Sequence, residues 1–137
     1  MRHLGRIASL TLASALLAVS LAGCTGGQSK LEACANLITS LADVTASLNE
    51  SANTFAEDPQ GASTLVANSA EKFQATVDKV TNEEVKDAAA EASARITELS
   101  DQYVTIAQDP TSADADELTA AGDRTRTAME KLQAACV

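Results

Sequence analysis

Apolar and small residues recur at alternating intervals of three and four after residue 29, which is the periodicity of one helix face. The first predicted face consists of Leu31, Cys34, Ile38, Leu41, Thr45, Leu48, Ala52 and Phe55. A capping box of Ser29 and Glu32 marks the start of this helix. Asp58-Pro59 marks its end, because a proline disfavours helical backbone in the residue before it. The pattern predicts a first helix of about seven turns.

Three further helices are predicted from the same periodicity. The second follows Gly61, the third opens with a capping box over 81–84 and closes at Asp109-Pro110, and the fourth begins near Asp114. Their predicted faces are Ala62, Val66, Ser69, Phe73, Val77 and Val80; Val85, Ala89, Ala92, Ile96, Leu99, Tyr103 and Ile106; and Leu118, Gly122, Thr125, Met129, Leu132 and Cys136. Because short connections place successive helices antiparallel, we predict an all-α, up-down-up-down four-helix bundle over residues 29–137.

The chain before residue 29 has the parts of an export signal. Residues 1–6 carry positive charge, and 7–18 form an apolar run that is shorter than the roughly 20 residues needed to span a bilayer. The run leads into Leu21-Ala22-Gly23-Cys24. This motif resembles the lipobox of the bacterial lipoprotein class, in which a leucine and two small residues precede an invariant cysteine.

The resemblance implies that residues 1–23 are a lipoprotein signal peptide, cleaved between Gly23 and Cys24. It also implies that the Cys24 thiol carries a diacylglycerol through a thioether, with residues 24–28 as the tether. Two acyl chains hold a protein stably on a membrane, so the mature chain is expected on the extracytoplasmic face of a bacterial cell membrane. The alternative is an ordinary secretory signal cut near Ala22 or Gly23, with Cys24 unmodified.

If Cys24 is acylated as the resemblance implies, Cys34 and Cys136 are the two remaining cysteines. In the predicted bundle the first helix begins and the fourth helix ends at the same pole, and both cysteines lie on predicted faces. Disulfides persist outside the cytoplasm. We therefore predict a Cys34–Cys136 disulfide; the alternative is two buried free thiols that pack as small hydrophobes.

The predicted mature chain is strongly acidic and lacks histidine. The sequence has 10 Lys and Arg against 19 Asp and Glu, and Arg2, Arg6 and the single histidine, His3, lie in the signal peptide. This leaves eight basic residues and a net charge of about −11, which argues against nucleic-acid binding. The missing histidine removes the commonest general base and metal ligand. No metal, cofactor or enzymatic activity is predicted; an enzyme would need two acids that converge in a cleft.

Six acidic residues flank the two Asp-Pro breaks, and we name them the acidic cap: Glu57, Asp58, Asp109, Asp114, Asp116 and Glu117. In the predicted bundle they lie at the pole remote from the cysteines and therefore from the membrane. One interpretation is recognition of a basic protein, another envelope partner or a divalent cation. The other is structural, because acids at helix starts cap the backbone and favour the helix dipole.

Small and polar residues interrupt the predicted faces at Thr45, Ser69, Gly122 and Thr125, and Tyr103 lies on the predicted face of the third helix. They either let the helices approach closely or line a cavity for an apolar ligand. The sequence as a whole predicts a lipid-anchored, non-enzymatic interaction or envelope-structural module. A ligand-binding lipoprotein with an apolar cavity between its helices is the alternative.

Overall fold

The computed structural model describes residues 27–137, so the predicted signal peptide, Gly23 and Cys24 lie outside the described residues. These residues contain four helices and a 3-10 turn and no strand: α1 (Lys30–Thr54), α2 (Pro59–Val77), α3 (Glu83–Gln108), the turn (Pro110–Ser112) and α4 (Ala115–Ala135). The helices pack around one hydrophobic cluster. The prediction of an all-α helical bundle is therefore confirmed for this part of the chain.

Polar side chains at the helix starts accept hydrogen bonds from backbone amides of the first turn. Ser29 Oγ accepts from the amide of Glu32 at 3.2 Å, and Asp114 Oδ1 accepts from the amide of Glu117 at 3.0 Å. Each bond satisfies an amide that has no carbonyl partner within its helix. The predicted starts of α1 and α4 are thus confirmed.

The start predicted for α2 is wrong, because the helix begins at Pro59 and not after Gly61. Proline fits this first position since its missing N–H would have no partner within the helix. Asp58 is the N-cap, and its Oδ1 accepts from the amide of Gly61 at 2.8 Å. A Cβ at residue 61 would collide with the Asp58 carboxylate, so the glycine makes room for the cap.

Two other predicted boundaries also need correction. Asn82, not Thr81, caps α3, and its Oδ1 accepts from the amide of Glu84 at 3.1 Å. The Thr81 hydroxyl instead accepts from the amide of Gln28 at 3.0 Å. The first helix ends at Thr54, before Asp58-Pro59, because the three intervening residues form a turn.

The buried face of α1 differs from the predicted face. Leu31 is 82% exposed and Ile38 is 41% exposed, although both belong to the predicted face. The buried positions are Ala33, Cys34, Leu37, Leu41, Val44 and Ser51. Within residues 27–137, α1 packs along α2 and touches α3 but does not pack along α4. The face toward α2 and α3 is therefore buried, and the edge toward α4 stays open.

Large aliphatic side chains and one phenylalanine form the centre of the core. Phe73, Leu37, Leu41, Ile96 and Leu132 are its largest fully buried side chains. They come from all four helices, so each helix contributes to the same cluster. Alanine and serine fill much of the remaining interface, which allows close approach of the backbones.

Contacts between chain segments define two poles of the bundle. At the first, which we call the disulfide pole, Gln28 contacts Thr81, and Lys30 Nζ donates to the carbonyl of Val137 at 3.3 Å. At the second, the far pole, Gln60 Nε2 donates to the carbonyl of Ala107 at 2.6 Å. The start of α1 and the end of α4 thus meet at one pole, and the start of α2 meets the end of α3 at the other.

Candidate functional site

Three members of the acidic cap act as helix caps. Asp58 and Asp114 accept amide hydrogen bonds at the starts of α2 and α4. Asp109 Oδ1 accepts from the hydroxyl of Thr111 at 2.6 Å and from its amide at 3.0 Å. These two bonds hold the pKa of the Asp109 carboxyl below its usual range, with the hydroxyl as the larger cause. The structural interpretation accounts for these three acids.

The other three members of the acidic cap differ in their surroundings. Glu117 Oε1 lies 3.0 Å from a guanidinium nitrogen of Arg124, whereas the exposed Glu57 and Asp116 form no ion pair within residues 27–137. No group of three or more His, Cys, Asp or Glu in that range is arranged to hold a metal ion. Recognition of a basic partner by the acidic cap stays a prediction.

A short chain of ion pairs links α3 to α4. Glu98 accepts from Arg95 at 2.7 Å and from Arg124 at 2.7 Å, and Arg124 also contacts Glu117. These bonds, with the one from Arg95 as the largest cause, lower the pKa of the Glu98 carboxyl. This group was not predicted from the sequence. The spacing of Glu98 after Arg95 was a signal for part of it, but the contribution of Arg124 depends on how α3 and α4 pack.

Cys34 and Cys136 lie at disulfide-bonding distance, with their Sγ atoms 2.10 Å apart. Cys34 is in the second turn of α1 and Cys136 directly follows α4. This is the position that the predicted pairing requires. The pair joins the two helices at the disulfide pole, where Ala33, Leu37 and Leu132 pack against it in the same hydrophobic cluster.

A groove of about 530 Å³ lies between α1 and α4, with α3 beneath it. Its apolar lining comes mainly from Leu48, Leu99, Leu118 and Met129. The other lining residues are Thr45, Asn49, Ala52, Tyr103, Gly122, Thr125, Arg126, Glu130 and Gln133. The size and the apolar lining are typical of sites for small apolar ligands. This groove is the candidate functional site.

The structure brings together four of the five residues that the sequence singled out as candidates to line a cavity. Thr45, Gly122, Thr125 and Tyr103 all line the groove. Ser69 does not, because it lies buried in α2, where its hydroxyl donates to the carbonyl of Val66 at 2.9 Å. Small side chains on the facing edges of α1 and α4 leave space between these helices.

The charged residues that line the groove are already paired. Arg126 donates to Glu130 at 3.1 Å and to Asp123 at 3.3 Å. The ring of Tyr103, which lines the groove, meets Phe55 edge-on, with the centroids 5.2 Å apart. Burial raises the pKa of the Tyr103 hydroxyl, so this group is neutral at physiological pH. The groove therefore offers an apolar surface without a free charge.

Comparison with protein-family models, curated proteins and solved structures finds no match to this chain. Among residues 27–137, every helix is too short or too polar to cross a membrane.

Proposed function

We propose that this protein is a lipid-anchored, extracytoplasmic helical-bundle lipoprotein that acts as a non-enzymatic interaction or envelope-structural module. The observation that carries the proposal is the lipobox-like motif Leu21-Ala22-Gly23-Cys24. Its last residue, Cys24, lies four residues before Gln28. Gln28 is hydrogen-bonded to the bundle through Thr81 and Asn82. The tether from Cys24 to that point spans at most about 14 Å, so the disulfide pole would lie beside the membrane.

The proposed topology is antiparallel up-down-up-down. It is supported by the contacts at the two poles, where Lys30 meets Val137 and Gln60 meets Ala107. In this arrangement the acidic cap faces away from the membrane and is available to a basic protein or another envelope partner. The negative charge of the acidic cap attracts a cationic protein surface, and this attraction extends about 8 to 10 Å at physiological salt.

Metabolic labelling with a fatty-acid analogue tests the anchor. The wild-type protein is expected to carry the label and to remain in the membrane fraction, whereas Cys24→Ser is expected to do neither. The variant with both Cys34→Ser and Cys136→Ser is the matched control, since it also loses thiols but keeps the lipobox. Label on the Cys24→Ser protein would refute acylation at this residue.

A second candidate function is binding of an apolar ligand in the groove between α1 and α4. Its occupant would be one acyl chain of an uncharged lipid, because the Arg126 and Glu130 side chains that line the groove already neutralise each other. The lining residues on α4 run from Leu118 to Gln133, a helical length of about 22 Å. A lipid leaflet provides about half of the roughly 30 Å hydrocarbon core, so the groove is long enough for such a chain. A second copy of this acidic protein would be repelled by its own charge.

Gly122 allows a direct test of this second function. A Cβ at this position would meet no atom within 4 Å, so Gly122→Phe can fill the groove without a collision at the backbone. The mature protein is reconstituted in nanodiscs that contain a photoreactive uncharged diacyl lipid, and crosslinked peptides are mapped. Wild type and Gly122→Ala are expected to crosslink at Leu118 and Met129, and Gly122→Phe is not. Crosslinks confined to the tether in all three proteins would exclude the groove as a lipid site.

A further inference from the structure

A second cleft, of about 440 Å³, lies on the opposite side of α1, between α1 and α2. Its lining is polar: Asn36, Ser40 and Asp43 come from α1, and Lys72 and Thr76 come from α2. The hydroxyl oxygens of Thr76 and Ser40 lie 3.4 Å apart across the two helices, and the Thr76 hydroxyl donates to the carbonyl of Lys72 at 3.1 Å. The cleft reaches the disulfide pole, where Gln28 and Lys79 also line it. It is a different site from the apolar groove.

Lysines without ion pairs distinguish this cleft from the rest of the bundle. Residues 27–137 contain eight Lys and Arg residues, and six of them are paired with acids: Lys30, Lys86, Arg95, Arg124, Arg126 and Lys131. The two that form no ion pair within residues 27–137 are Lys72 and Lys79, and both line this cleft. Asp43 is the one acid in the lining, so the cleft carries a net positive charge in a strongly acidic chain.

Gln28 supplies a second, independent feature of a binding site. Its amide donates to Thr81 at 3.0 Å, and its carbonyl accepts from Asn82 at 3.3 Å, so the backbone is held on both sides. The side-chain oxygen of Gln28 is buried and has no hydrogen-bond partner in the described part of the chain. A buried acceptor without a partner is costly, and a ligand that donates a hydrogen bond would remove that cost.

We propose that this cleft binds a phosphate ester that carries a free hydroxyl group, such as a glycerol phosphate. The ammonium groups of Lys72 and Lys79 would bind the phosphate oxygens, because lysine is a common phosphate ligand that acts as a point charge. The hydroxyl of the ester would donate to Gln28 Oε1. The Asp43 carboxylate would accept a hydrogen bond from a second hydroxyl of the ligand. Its negative charge would disfavour ligands that carry more than one phosphate group.

The phosphate ester has two possible sources with the same chemistry: the headgroup of an anionic phospholipid, or a phosphate ester outside the bilayer. Gln28 lies four residues after Cys24, which places the cleft within about 14 Å of the anchor. The headgroup source rests on the proposed lipid anchoring. Binding of the phosphate ester itself depends on the residues of the cleft and not on the anchor, so either proposal can be refuted without the other.

The experiment titrates glycerol 3-phosphate into the mature protein in phosphatidylcholine nanodiscs. It follows the side-chain amide resonance of Gln28 and the backbone amide resonances of Ser40 and Thr76, which also line the cleft and are present in every variant. Wild type is expected to show saturable binding. A variant with both Lys72→Gln and Lys79→Gln is expected to bind about tenfold more weakly or worse, because it loses charge-assisted hydrogen bonds. A variant with both Lys86→Gln and Lys131→Gln is the matched control: it has the same change in charge, at lysines already paired with Glu83 and Glu91. Its affinity is expected within about twofold of wild type, since exposed pairs contribute little.

Gln28→Ala tests the hydroxyl contact. Wild type is expected to prefer glycerol 3-phosphate over inorganic phosphate by about two- to tenfold, and the variant is expected to lose this preference. Nanodiscs that contain phosphatidylglycerol distinguish the two sources. If phosphatidylglycerol weakens the binding of added glycerol 3-phosphate, the cleft binds a lipid headgroup. If the binding of glycerol 3-phosphate is unchanged, the ligand is an ester outside the bilayer. No saturable shift of the Gln28 resonance, or equal losses in the two lysine pairs, would overturn the proposal.

Discussion

The Cα atoms of Cys34 and Cys136 lie 5.5 Å apart although 102 residues separate them in sequence. The pair connects the beginning of the bundle to its end at a place where α1 and α4 come together. Away from this pole, α1 and α4 do not pack along each other within residues 27–137, and the apolar groove opens between them. A disulfide between these two cysteines would therefore hold together two helices that side-chain packing alone joins only weakly.

Removal of the disulfide is expected to destabilise the bundle strongly. A variant with both Cys34→Ser and Cys136→Ser should lose at most about 4 to 5 kcal/mol of unfolding free energy, the value that chain entropy assigns to a loop of this length. Urea unfolding of the variant and of reduced wild type measures the loss, and the two proteins should agree closely. If both cysteines of the native protein react with an alkylating reagent before reduction, the bond is absent and the prediction is wrong.

The sequence predicted the number and order of the helices because their signals are local. The periodicity, the Ser29 cap and the Asp-Pro breaks each act within one or two turns. Errors arose where two local signals competed, as at the start of α3, where Thr81 and Asn82 can both cap a helix. The choice depended on the contact between Thr81 and Gln28, which are far apart in sequence. No local pattern contains that information.

The error in the face of α1 has a similar cause. The predicted face runs through Leu31 and Ile38, whereas the fold buries a face rotated toward α2 that includes Leu37. In a closed four-helix bundle α4 would cover the edge of α1 that carries Leu31 and Ile38. Because α4 does not pack along α1, the apolar residues on this edge of α1 stay exposed or line the groove. This is also why the sequence predicts the groove only as an alternative. The cleft of Lys72 and Lys79 was not predicted because it depends on how α1 and α2 pack against each other.

Neighbouring residues of α1 provide a matched test of the observed face. Leu37 is fully buried and Ile38 is 41% exposed. Leu37→Ala is expected to lower the unfolding free energy by about 2 to 5 kcal/mol, since it leaves a cavity in the core. Ile38→Ala is expected to cost less than about 1 kcal/mol, as for most surface substitutions. Chemical denaturation of the two variants compares them directly, and a larger loss for Ile38→Ala would restore the originally predicted face.

The ion pairs of Glu98 are expected to make stability depend on acid pH. The contacts with Arg95 and Arg124 lower the pKa of Glu98 below its ordinary value of 4.5, so the folded state favours the ionised carboxylate. This contribution is present above about pH 4.5 and is lost as the pH falls through the lower pKa of the folded protein. Glu98→Gln should therefore be less stable than wild type at pH 7, and the difference should shrink in stronger acid.

The melting temperature at a series of pH values measures this difference. Glu71→Gln is the matched control, because Glu71 is exposed and forms no ion pair in the described residues. Its melting temperature at pH 7 is expected to equal that of wild type. A Glu98→Gln protein whose deficit is the same at pH 7 and pH 3 would show that the loss comes from packing and not from the carboxylate charge.

The last prediction concerns the orientation of the anchored bundle. The short tether would hold the disulfide pole beside the lipid, and the acidic cap at the far pole would be repelled by anionic headgroups. Since α1 alone is about 37 Å long, an upright bundle would carry its far pole well beyond the reach of the headgroups. Spin labels attached through Glu57→Cys and Asp87→Cys form a matched pair, because each replaces an exposed acid. Collisions with a lipid-bound relaxation agent should be frequent for the label at 87, near the start of α3, and rare for the label at 57. Equal collision rates would mean that the bundle lies flat on the membrane, and the acidic cap would then lose its proposed role as an outward recognition surface.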